Sequence, residues 1–141
     1  MSNLHPVLVH FPIVLLTCSL LFDLIGHLLN KSQFERSAWW TQLLGTAGLV
    51  ATVTTGLLAE NSVVIVEAAR EHFETHEQIA FVIAGIYAVL FLWRIGSRTK
   101  LPLRREWIYL TLSVLAVTLI WVGAWYGGEL VYTFGVGVNQ H

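Results

Sequence analysis

The chain has 141 residues, 55% of them hydrophobic and 12% charged, with six tryptophans and a formal net charge of −1. Soluble domains carry about 45–50% apolar and about 25% charged residues, so this is the composition of a membrane protein. It offers nucleic acid no basic patch, and Cys18 as lone cysteine excludes a disulfide framework, a paired-cysteine zinc site and a covalent CxxCH haem attachment.

Four apolar runs approach the ~20 residues that cross a bilayer as helix: Val7 to Leu29, Trp39 to Ala59, Ile79 to Trp93 with its flanks, and Trp107 to Val131. The expected fold is all-α, a single four-helix transmembrane bundle over residues 1–141. The first run opens on LHPVLVHFP. No basic segment precedes this run and no small-residue cleavage site follows it, so it is expected to stay as a helix. Pro6 suits a first helical turn. Pro12 removes the amide that would bond the Leu8 carbonyl, unless the helix starts later with Pro12 in its own first turn, and either way the backbone around His10 is irregular. At the far end of this helix Asp23 and His27 are four apart and are expected to pair with each other or with nearby arginines.

The second helix carries Gly48, Thr52 and Gly56 on one stripe, and the fourth repeats the spacing with Gly123 and Gly127. Such stripes let helices approach closely, and a flat ligand could use the same room. Between helices two and three, ENSVVIVEAAREHFETHEQ sets Val63, Val64, Val66, Ala68 and Ala69 among carboxylates, the pattern of a short interfacial helix. His72 and His76 then share one face, as do His76, Ile83 and Tyr87.

Lys31 and Arg36 lie in the first connection and Arg94, Arg98, Lys100, Arg104 and Arg105 in the third, against Arg70 alone in the second. Positive residues mark the cytoplasmic side. Both termini are therefore expected outside a bacterial inner membrane, with Trp39, Trp40, Trp93 and Trp107 as the cytoplasmic aromatic belt and Trp125, Tyr126 and Tyr132 near the outer boundary. His5, His10, His72 and His76 all fall on the external side, with Glu60, Glu71, Glu74, Glu77 and Glu129. His5 and His72 are shallow enough to be hydrated interfacial residues. His10 and His76 are deeper, at comparable depths on two helices, and form the expected ligand pair. No second histidine lies with His27 at the cytoplasmic end of helices two to four, so a cross-membrane pair of stacked haems is not expected.

The opening LHPVLVHFPIVLL, the TGLLA ending helix two, His76, and the closing GGELVYTFGVGV together resemble a family of small four-helix bacterial membrane proteins, domain of unknown function 2231, over nearly the whole chain. The resemblance implies a four-span inner-membrane protein with His5, His10 and His76 at motif positions and a cytochrome-like character. Gly127, Gly128, Glu129 and Tyr132 match its closing motif. Phe134 stands where the family more usually has a histidine, and supplies no ligand.

The leading expectation is a b-type haem protein in electron transfer, its iron held by His10 and His76 between helices one and three near the external face. Gly56, Gly123 and Gly127 would make room for the porphyrin edge. Glu129, with the other external carboxylates and Tyr132, would orient the propionates through water, with Gly128 in the same motif. Another redox subunit or a quinol is the expected partner within the lipid bilayer, and self-association into a homo-oligomer is left open. The alternative is a zinc or copper site from His5, His10, His72 and His76, completed by Glu74 or Glu129. HFETH has Phe73 where HExxH has its general base, which argues against hydrolysis. A third expectation is a non-catalytic structural subunit. No catalytic triad order, phosphate loop or dinucleotide fingerprint points to a stand-alone enzyme.

Overall fold

The computed structural model describes residues 4–60, 65–97, 100–102 and 104–137, and every regular element among them is helical. Four segments are long and apolar enough to cross a membrane, His5–Leu29, Ser32–Glu60, Glu67–Gly96 and Glu106–Tyr132. At ~1.5 Å per residue each exceeds the ~30 Å hydrocarbon core, so their ends extend into the interfacial layers.

The first span is built from α1 (Leu4–Leu8) and α2 (His10–Leu29). They meet at Val9, whose φ of −58° and ψ of −29° are helical. Pro12, third residue of α2, cannot donate to the Leu8 carbonyl, while the Val9 amide still bonds the His5 carbonyl at 3.1 Å. The irregularity expected around His10 is thus a break at Val9, with the Pro12 bond missing and the Ile13 amide 3.5 Å from the Val9 carbonyl. α2 ends on Asn30 in the left-handed region (φ 52°), where Asn tolerates the turn, and α3 (Ser32–Glu60) starts two residues later. Its first two turns, SQFERSA, are polar, which is why hydropathy places the start at Trp39.

α4 (Arg70–Gly96) begins well before Ile79 and takes in both His72 and His76. The short interfacial helix is here a 3₁₀ turn, Glu67–Ala69, running directly into α4; Val63 and Val64 lie outside the described residues. α5 (Glu106–Tyr132) ends before Gly135, whose φ of 67° lets the chain turn back over the bundle.

α2 packs chiefly on α3 and α4 on α5, and these two hairpins join along α2–α5 and α3–α4, so α2 and α4 stand at opposite corners. Leu16, Leu49, Ile83, Tyr87, Leu90, Leu110 and Ile120 fill the centre, while Val14, Leu21, Val50, Val89, Leu92 and Val114 are exposed as lipid-facing residues should be.

The end of the bundle opposite His5 holds a buried polar network. Arg94 reaches across the diagonal to the Asp23 carboxylate, donates to the Glu35 carbonyl at 2.9 Å, and lies near the Tyr109 hydroxyl, which donates to Gln42 Oε1 at 2.9 Å. Asp23 thus pairs with an arginine, and His27 packs edge-on against Trp107. This corrects the reading of Arg94 as a connection residue. It belongs to the last turn of α4, is fully buried, and has its charge met by Asp23, so it contributes nothing to the positive charge of a loop.

Candidate ligand site at the histidine end

His5 and His76 are held in the same way. His5 projects from α1 onto α3, where its Nδ1 lies 3.0 Å from the Thr52 carbonyl. His76 projects from α4 onto α5, where its Nδ1 lies 3.0 Å from the Gly123 carbonyl. A carbonyl only accepts, so each Nδ1 carries the proton and each Nε2 presents its lone pair. Among the described residues neither Nε2 has a hydrogen-bond partner.

Each ring also lies against a glycine, approaching it at Cε1. A Cβ at Gly56 would stand 3.0 Å from His5 Cε1, and one at Gly127 would stand 3.1 Å from His76 Cε1. The room expected at these glycines for a porphyrin edge is therefore taken by the imidazoles themselves, and Gly123 is covered by Ile79. The small residues bring a neighbouring helix close enough for its carbonyl, one turn earlier, to fix the ring.

The other expected site residues are placed differently. His10 is exposed, with its Nδ1 turned onto the Pro6 carbonyl of its own helix at 2.9 Å. Five residues on from His5, it is about 140° further round the helix at about 100° per residue. This replaces the expected pairing of His10 with His76, since depth along the helix is matched but rotation is not. His72 packs against the rings of Tyr126 and Phe134, with centroids 5.6 and 5.0 Å away. Glu129 accepts from the Thr133 hydroxyl at 3.0 Å, Gly128 faces open space, and Tyr132 is 91% exposed. Among the described residues no hydrogen bond joins Glu129 or Tyr132 to His5 or His76.

Among the described residues no three His, Cys, Asp or Glu side chains converge as metal ligands. The compact zinc or copper arrangement of four histidines with Glu74 or Glu129 is not assembled, because His10 and His72 are turned to other neighbours. The Thr52 and Gly123 carbonyls were not legible as site groups, although one signal was present: the same 47 residues separate His5 from Thr52 and His76 from Gly123.

Four apolar spans, a buried ion pair at one end and two carbonyl-fixed histidines at the other define an all-helical, four-span membrane protein. The chain belongs to the DUF2231 family, described as a predicted membrane protein, whose family model matches residues 1–140. No curated protein and no solved structure matches it.

Proposed function

We propose that His5 and His76 form a bis-imidazole site for b-type haem, at the external face of a bacterial inner membrane, and that the protein carries electrons from a quinol or a reduced redox subunit. The observation that supports this most is the shared orientation of the two rings. Histidines that bind a metal through one nitrogen almost always donate the other N–H to a carbonyl or carboxylate, which fixes the tautomer and raises the basicity of the ligating nitrogen. His5 and His76 both do so, from diagonal corners of the bundle, and among the described residues neither Nε2 has a partner. This donor set fits haem iron, which His5 and His76 would hold between them, whereas zinc would need four ligands.

Bound haem supplies a one-electron iron couple. The chain's own part is to hold both rings in one tautomer through Thr52 and Gly123, and to back them with Gly56 and Gly127 so that neither can turn away. Lys31, Arg36, Lys100, Arg104 and Arg105 lie toward the opposite end, which favours an external position for the histidine end.

The test is an absorption spectrum of detergent-purified protein before and after dithionite, repeated on single variants. His5→Ala and His76→Ala should each abolish or shift the Soret and reduced α bands, while His10→Ala and His72→Ala leave them nearly unchanged. No Soret band after haem is supplied, or equal loss in the His10 and His76 variants, would overturn the proposal.

A further inference from the structure

One interval recurs through the chain. Asp23 and Arg94, the two ends of the buried ion pair, are 71 residues apart. The same interval of 71 relates His5 to His76, the Thr52 carbonyl to the Gly123 carbonyl, and Gly56 to Gly127. It also relates Leu16 to Tyr87, Leu49 to Ile120, and Glu35 to Glu106, and within the first two of these pairs both residues are buried. Few residue types coincide at this offset, so the repeat lies in position and role more than in letters.

We infer that the chain is a fused pair of equivalent two-helix hairpins, α1–α3 and α4–α5, related by an approximate two-fold axis running along the bundle. An operation that exchanges α2 with α4 and α3 with α5 maps the α2–α3 packing onto α4–α5 and the α2–α5 packing onto α3–α4, which are the four main interfaces observed. Each hairpin crosses the membrane twice, so both keep one orientation and the axis lies along the membrane normal, the geometry of parallel repeats. Two equivalent points can touch each other only on the axis. The Asp23–Arg94 contact therefore marks where the axis passes, and its unlike charges are what two like residues at that spot could not supply. A lysine or aspartate repeated on both halves would bury two like charges side by side.

The ligand site acquires a meaning that rests on the proposed function. His5 and His76 are two copies of one half-site, presenting the same nitrogen from symmetric positions, which suits a single ligand with two equivalent faces. The two-fold relation itself does not depend on any ligand, and its test is independent of haem.

The test reverses the ion pair in the full-length protein. Asp23→Arg and Arg94→Asp singly each bury two like charges, and the folded fraction should collapse. The double reversal should regain the larger part of it, because under the two-fold an arginine at 23 finds the Glu106 carbonyl where Arg94 has that of Glu35. Recovery should stop short of wild type, since the Tyr109 hydroxyl stays on its own half and Ala38 occupies the equivalent position. Folded fraction is read by size-exclusion of a carboxy-terminal fluorescent fusion in detergent, which works even where a variant is too poorly folded to purify. A double reversal no better than the single ones overturns the inference. Because the readout is folding, loss of the haem proposal would leave this result intact.

Discussion

Gly127 and Gly128 are neighbours in α5 with opposite demands. A methyl at Gly127 meets His76 Cε1 at 3.1 Å, tight enough that the ring must give way by a few tenths of an ångström, whereas a methyl at Gly128 meets nothing within 4 Å. Gly127→Ala should therefore cost about 1 kcal/mol of stability by overpacking and shift the spectrum of bound haem by tilting His76. Gly128→Ala should gain up to about 1 kcal/mol, from the lower helix propensity of glycine. Thermal unfolding in detergent separates the two, and a destabilised Gly128 variant would contradict the open space at that position. At this scale the histidines and glycines were legible as residue types, and the carbonyl that each ring meets was not. Apolar runs tell how deep His10 sits but not which way it points, and rotation about the helix is fixed by contacts with Thr52 and Gly56 that are distant in sequence.

Helix seams repeat the contrast between glycines that are needed and glycines that are idle. Gly45 faces Leu16 on α2, and a Cβ there would come within 2.7 Å of Leu16 Cδ2 and 3.1 Å of Leu15 Cβ. Gly85 on α4 has nothing within 4 Å. Gly45→Ala should separate α2 from α3 and cost about 1–3 kcal/mol, whereas Gly85→Ala should be neutral or slightly stabilising. Equal midpoints in a thermal series of the two variants would contradict the close packing of α2 on α3. The four spans themselves were legible because lipid imposes long apolar stretches on any helix that crosses it. Their ends were not, since α3 and α4 begin in polar turns, Ser32 to Ala38 and Arg70 to Gln78, where hydropathy carries no signal and the tight turn at Asn30 and the 3₁₀ turn at Glu67–Ala69 decide the boundary. The same polar start of α4 contains His72 and His76, which hydropathy alone leaves outside the span.

For the molecule as a whole, orientation depends on which positive charges are free to act during insertion. Arg94 is withdrawn from that count by its burial inside the bundle, and Arg70 is the single Lys or Arg at the histidine end. What remains is Lys31 and Arg36 in and beside one connection, with Lys100, Arg104 and Arg105 in the other, all toward the Asp23 end of the bundle. Acidic residues contribute little to orientation, so the many glutamates of the histidine end do not oppose this bias. The two-fold relation strengthens it, because each hairpin places its own connection, with its own basic residues, at the same end, and the two halves favour one topology independently. A reporter active only outside the cytoplasm, fused after His141, should therefore be active, and one active only inside should be silent. Replacing Lys100, Arg104 and Arg105 together by Asn should weaken the preference without abolishing it, since Lys31 and Arg36 still hold the first hairpin. A wild-type fusion that reports a cytoplasmic terminus would turn the histidine end inward and remove an external electron donor from the proposal, while the ion-pair reversal would still test the two-fold arrangement.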